Sequence, residues 1–377
     1  MWVYHIILIF CFFSAFLVER FSMALVPSMN LELRKQRVND LHNRLFTILI
    51  LYMIVLCGFR SYDATYHVGI DTYAYYKSYM QKGSYQILDI LQEDFNDKGY
   101  VLLQAILAKL NCKFWVLLTL SAVVYVGGMA WYIKKYSKNC WMSIFIFLAL
   151  GLYTFAFSGI RQTIAMGLCM IAYMLANKIP GWKGFLVYIG ITYVAHTIHA
   201  SAIIFLPVYF LQKIPYKTIT VFIFLGIAGL TMLFKNQFAN LIFQLAIETS
   251  DKYEGYEIVE NAGAGFLLYL FIFMTVVLRL LASGSMNEVA QKDNSVYLLL
   301  CMLILFPATQ SGGAMMRIYY YYYMFIIVYL PNVLESIDDL KTKQFAYLML
   351  SVFLLWFYIS GNYSSLMLIP YHFFWQV

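Results

Sequence analysis

The chain has 377 residues, of which 62% are apolar and only 12% charged, and its mean hydropathy is +0.71. Soluble domains carry about 25% charged residues, so this balance excludes a water-soluble globular protein and defines a polytopic membrane protein of the all-α class. The net charge of +7 falls mainly on loops between apolar runs, which points to membrane orientation and anionic-lipid contact, not to nucleic acid.

In chain order, apolar runs long enough to cross a hydrocarbon core of about 30 Å, or half of it, lie near residues 2–18, 45–59, 114–133, 140–157, 162–177, 185–197, 200–212, 218–234, 264–281, 295–309, 318–334 and 344–359. The pair flanking His196 and His199 reads either as two short pieces or as one long kinked helix, which changes the count by one. Positive charge decides between them. With about twelve transmembrane or half-spanning helices, the loops 19–44, 134–139, 178–184, 213–217, 279–293 and 338–343 share one side and hold most of the 26 Lys and Arg. Those loops are expected in the cytoplasm, with both termini outside. No Lys or Arg precedes the first run while Arg20, Arg34, Lys35 and Arg37 follow it, the pattern of an uncleaved anchor.

The whole of 1–377 therefore reads as one integral membrane domain with two large external segments. Residues 60–113 carry the polar motifs and end in Val101 to Leu110, an apolar stretch too short to span, which suits a re-entrant or interfacial helix. Residues 235–262 are acidic around Asp251, Glu254 and Glu257 and read as a rim or flap. Cys11, Cys57, Cys112, Cys140, Cys169 and Cys301 form no C-x-x-C pair, so they are read as buried small hydrophobes, and no metal site is expected.

Three arginines, Arg60, Arg161 and Arg317, sit where an apolar run meets water, an arrangement suited to holding an anion at one face. Around them stand Gly69-Ile-Asp71-Thr72, Tyr75, Asp97-Lys98-Gly99-Tyr100, Ser158-Gly-Ile-Arg161-Gln162, His199-Ala-Ser201-Ala202 and the run Tyr319 to Tyr323. This ordered set, covering about residues 55–330, resembles the EpsG-type, Wzy-like family of bacterial polysaccharide polymerases. One departure is that the family often has Glu-Pro-Gly-Phe where this chain has Asp97-Lys98-Gly99-Tyr100.

The resemblance implies a membrane glycosyltransferase that joins polyprenyl-diphosphate-linked oligosaccharide repeat units on the outer face of the bacterial cytoplasmic membrane. Its product would be O-antigen, capsule or exopolysaccharide. It implies a fold like that of other lipid-sugar glycosyltransferases (GT-C-like), no cofactor, and a chain-length regulator and flippase of the same pathway as partners.

The residues suit that chemistry. A diphosphate leaving group gains negative charge as the anomeric bond breaks, and a planar guanidinium pairs with two phosphate oxygens at once, so Arg161 and Arg317 are expected to clamp it. Helix ends at headgroups need such anchors too. Arg60 has Asp63 beside it, which would neutralise it. An acceptor hydroxyl must lose a proton, and Asp71 or His199 is expected to take it, with His196 orienting His199. Gly69 would let the backbone approach substrate, with Thr72, Tyr75, Asp97, Gln162 and Tyr319 touching sugar or phosphate. Against this, Gly69 to Thr72 also reads as a turn in which Asp71 caps the next helix, and five consecutive tyrosines would face both the bundle and lipid. A lipid-linked oligosaccharide transporter is the alternative class, disfavoured because the spans contain almost no ionisable residue except Arg279. A membrane acyltransferase is a third reading, which His199 would also suit.

Overall fold

Apolar segments in lipid satisfy their backbone groups within a helix, and the described residues carry out that rule. The computed structural model describes residues 1–24, 30–93, 95–249, 263–281, 295–311, 318–361 and 363–377. Their regular structure is helical, and Arg60 and Phe373 form an isolated antiparallel bridge.

The helices are α1 (Trp2–Ala24), α2 (Leu31–Gly58), α3 (Thr72–Lys82), α4 (Ile87–Gln92), α5 (Lys98–Lys109), α6 (Phe114–Tyr136), α7 (Cys140–Ala149), α8 (Leu152–Phe155), α9 (Ile160–Lys178) and α10 (Gly181–Ile198). A 3-10 turn (Ala200–Phe205) follows, then α11 (Val208–Leu211), α12 (Thr218–Leu233), α13 (Lys235–Thr249), α14 (Gly263–Leu281), α15 (Val296–Leu305), a 3-10 turn (Phe306–Ser311), α16 (Tyr320–Tyr323), α17 (Ile326–Glu335) and α18 (Leu340–Ile359).

Among the described residues, α1, α2, α6 and α18 are long and apolar enough to cross a membrane. Helices α12 and α13 would make a fifth span, bent by 92° at the break between them. Helices α7 and α15, of 10 residues each, fit half-spanning pieces better than full crossings, while α9, α10 and α14 run to 19, 18 and 19 residues. The run 140–157 is not one helix: α7 ends at Ala149, and Gly151, at φ +77°, turns the chain into α8.

The chain forms two compact units, residues 1–170 with 351–377, and residues 171–350. In the first, α1 and α2 make an antiparallel hairpin. Tyr52 Oη donates to Val3 O (3.0 Å) at one end, and Arg34 donates to Ser22 O at the other. Helix α6 returns along α2, with Phe59 against Trp115 at its start. Helix α9 crosses α6 at a glycine pair: a Cβ on Gly167 would lie 2.6 Å from Val124 O, and one on Gly128 3.1 Å from Gly167 O. That close approach fixes the start of α9. Above α6, helices α3, α4 and α5 form a small cap whose core is Ile90, Val101 and Ala105.

The C-terminal segment after α18 folds back over the cap's base, a feature with no signal in the hydropathy pattern. Ser61 N–H donates to His372 O, Phe374 N–H to Phe59 O and Gly69 N–H to Met367 O. Phe374 stacks on Trp115 at 5.5 Å.

In the second unit, α10 and the turn after it settle the pair around His199. Tyr188 stacks on Phe205 at 5.9 Å and donates its hydroxyl to Phe205 O. Residues 17 apart in a straight helix would be about 25 Å apart, so the chain reverses at His199 as two pieces. The tyrosine run packs on that turn: Tyr322 Oη donates to Ile204 O (2.8 Å), and Phe325 stacks on Phe205. Tyr319, Tyr321, Tyr322 and Tyr323 are all buried, and only Tyr320 is partly exposed, so the run faces protein where a uniform helix would have shown some of it to lipid. The chain turns at Tyr319 and again after Tyr323, so no single helix carries all five.

Candidate active site at the Asp97–Arg161 pair

Eight of the expected site residues lie in the first unit, on α3, α5 and α9 or in the loop between α2 and α3. Arg161 lies in the first turn of α9 and Asp97 at the N-cap of α5, and Arg161 Nη1 donates to Asp97 Oδ2 at 2.5 Å. Sequence proximity offered Arg161 no acidic partner; the fold supplies one from 64 residues away. Asp97 adopts the left-handed backbone conformation (φ 54°, ψ 45°), which Asp tolerates better than most residues. Its carbonyl starts α5 by accepting from Tyr100 and Val101. Its side chain is 3% exposed, while that of Arg161 is 30% exposed. The pair is therefore reached from the arginine side. Both groups sit at helix N-termini, where unpaired N–H groups add positive potential.

Two tyrosines frame the pair. The guanidinium of Arg161 lies 5.8 Å from the ring centre of Tyr75 on α3, and the Tyr75 ring meets that of Tyr100 edge-on at 6.0 Å. Burial by itself would lower the Arg161 pKa, but Tyr75 and Asp97 more than offset it and raise it, so the guanidinium stays charged. Burial is also the main reason the Tyr100 hydroxyl is held well above its ordinary range. Three buried polar atoms here have no hydrogen-bond partner among the described residues: Arg161 Nε, Tyr100 Oη and Gln104 Nε2. Gln104 follows Tyr100 by one turn of α5, and Ser78 Oγ, one turn beyond Tyr75, donates to its Oε1 at 3.4 Å. Buried polar groups are normally satisfied, so these donors are suited to receiving ligand oxygens.

Arg60 and Thr72 have another duty. Arg60 is 1% exposed, and its nitrogens are spent on protein: Nε donates to Thr72 Oγ1 (3.2 Å), Nη1 to Cys57 O, and Nη2 to Ala156 O (3.4 Å), with the guanidinium 5.0 Å from the centre of the Phe157 ring. Thr72 is fully buried and donates to Val68 O at 2.8 Å. Asp63 does not neutralise Arg60; its carboxylate accepts from Thr65 and Tyr66 N–H in a local turn. Gly69, at φ +97°, lets the backbone approach Phe157: a Cβ there would lie 2.1 Å from Phe157 O. The close contact expected with substrate is thus made with protein. Together these residues pin the 59–72 loop to the segment leading into α9.

Asp71 is half-exposed at the start of α3 and makes no side-chain cap, so the capping role is not realised. Gln162 is buried next to Arg161 in α9. In the second unit, His199 ends α10 in extended conformation, and His196 Nδ1 is 2.8 Å from Ala200 O, the bond of an Nδ1–H donor. Tyr319 stacks on Tyr320 and lies tilted against Phe306. Arg317 lies outside the described residues, as does most of the acidic segment around Asp251. Among the described residues no group of three or more His, Cys, Asp or Glu gathers.

Tyr100 and Gln104 were absent from the expected contact set. Their signal was there: Asp97, Tyr100 and Gln104 repeat at helical spacing along a stretch that is otherwise nearly all apolar.

Helices of this length and apolarity, with an arginine–carboxylate pair open on its arginine side beside the α3–α5 cap, define an all-helical membrane protein with a candidate anion site. Residues 43–373 match the EpsG family, and the chain belongs to it. Membership ties it to membrane-bound polysaccharide biosynthesis. No curated protein and no solved structure matches the chain.

Proposed function

We propose that the chain is a polysaccharide polymerase acting on polyprenyl-diphosphate-linked repeat units at the outer face of the cytoplasmic membrane. The observation that carries this reading is the Asp97–Arg161 pair with its open arginine side and its unpartnered donors. The donor's diphosphate competes with Asp97 for the guanidinium, assisted by Arg161 Nε and the Tyr100 hydroxyl. Release from Arg161 restores basicity to the Asp97 carboxylate, so donor binding prepares the base. The acceptor hydroxyl then attacks the anomeric carbon and gives its proton to that carboxylate. The bond from the anomeric carbon to the diphosphate oxygen breaks, and its electron pair leaves with the polyprenyl diphosphate. Asp71 is the alternative base, and Arg60, Gly69 and Thr72 are positioning residues. His199, Arg317 and Tyr319 keep their expected roles as proposals, as do the twelve-crossing topology, the single integral domain, the GT-C-like arrangement and partnership with a flippase and chain-length regulator.

The test is incubation of the purified protein with a defined polyprenyl-diphosphate repeat unit, read as a ladder on a gel. A ladder supports polymerisation; translocation without bond formation points to a transporter, and acyl transfer to an acyltransferase. Arg161→Lys should lose the ladder nearly as fully as Arg161→Ala, because an ammonium keeps the charge but not the fork. Asp97→Asn should slow it by roughly 10²–10⁴-fold, the range of a lost general base. Near-normal polymer from Arg161→Lys would reduce Arg161 to an anchor.

A further inference from the structure

At the other end of the first unit from Arg60, a cleft of about 750 Å³ opens between α1, α2 and the turn joining α6 to α7. Its α1 wall is formed by Ala15, Val18, Glu19 and Ser22. Three cations line it: Lys35 on α2, Lys134 at the end of α6 and Lys138 in the turn. Glu19 is the one carboxylate in the lining, so the cleft keeps excess positive charge, and neither Lys35 nor Lys134 is in an ion pair among the described residues. Asn39 and Asn43 add neutral hydrogen-bonding groups on α2.

The depth of the cleft names its occupant. Helix α2 carries Arg34, Lys35, Arg37, Asp40 and Arg44 in its first half and is apolar from Leu45 onward, so the water–hydrocarbon boundary crosses it at the floor of the cleft. Trp141 sits at that floor, 5.1 Å from the His42 ring and 6.1 Å from Phe46, in the position aromatic residues take at an interface. A site of this size, with three lysines at headgroup depth in a largely polar lining, fits a phosphodiester. We propose that the cleft binds a phosphate-bearing anion, supplied by an anionic phospholipid headgroup.

The experiment titrates the full-length protein in neutral detergent with short-chain phosphatidylglycerol, short-chain phosphatidylcholine and inorganic pyrophosphate in separate arms. Phosphatidylglycerol should bind at least tenfold more tightly than phosphatidylcholine. Replacing Lys35, Lys134 and Lys138 together by Gln should weaken it by about a hundredfold, at about fivefold per lysine. Lys109→Gln, at the end of α5, should change nothing. The triple Arg replacement keeps the charge and should retain binding, which separates loss of the site from loss of the fold. Pyrophosphate binding as tight as phosphatidylglycerol, and lost in the triple Gln variant, would keep the phosphate chemistry and overturn the lipid source. Equal binding of the two lipids, or unchanged binding in the triple Gln variant, would overturn the proposal.

Discussion

At the residue scale, two arginines of the same loop-and-helix region do opposite work because their surroundings differ. Arg60 is enclosed by carbonyls, so its charge is stabilised by backbone dipoles and an aromatic face, and none of its donors points outward. Arg161 has a carboxylate on one nitrogen and an unpartnered Nε. Arg60→Met should therefore destabilise the protein by about 3 kcal/mol through carbonyls left unsatisfied. A thermal-unfolding midpoint in detergent checks this, and an unchanged midpoint would remove the structural role. Tyr100→Phe removes a buried hydroxyl that has no partner among the described residues, so stability should hold or rise slightly. If the hydroxyl donates to substrate oxygen, polymerisation should fall by about tenfold, the worth of one net hydrogen bond. Full activity would leave Tyr100 as packing only.

At the element scale, the site depends on where α9 starts and how the 59–72 loop is held. Gly69→Ala would strain a positive-φ position and drive a methyl into Phe157 O, with a cost of roughly 2 kcal/mol or more. Gly167→Val would push α9 off α6 and shift Arg161 away from Asp97. The expected outcome is folded protein with a lowered unfolding midpoint and a polymerisation loss larger than that midpoint alone would explain. Activity at the wild-type level would show that the crossing does not set the site. The cap formed by α3 to α5 has an exposed apolar rim of Met80, Leu88, Leu91, Ile106 and Leu110.

At the scale of the whole molecule, sidedness is the expectation with the widest consequences. Thr65 and Gln36 are exposed at opposite ends of the first unit. In a background with Cys112, Cys140 and Cys301, the partly exposed cysteines, replaced by Ser, Thr65→Cys should react with an impermeant thiol reagent added outside intact cells, and Gln36→Cys should not. Thr197→Cys and Lys183→Cys make the same comparison in the second unit, where Ile198 is too buried to label. A reversed pattern in either unit would place the candidate site or His199 on the cytoplasmic side.

Composition and hydropathy alone determined that the chain is helical and membrane-bound, because lipid leaves an apolar segment few other ways to satisfy its backbone. The ordered motifs also determined the family, since residue type and order along the chain carry that information without folding. Arg161, Asp97, Tyr75 and Gln162 were legible as polar residues interrupting apolar runs. Only the tertiary structure decided their relations: it paired Arg161 with Asp97, turned Arg60, Gly69 and Thr72 into supports and buried most of the tyrosine run. It also brought the C-terminal segment back over the loop that holds Arg60. These are contacts between residues tens to hundreds of positions apart, chosen by packing and by the need to satisfy buried polar groups, and neither force leaves a periodic mark in the sequence.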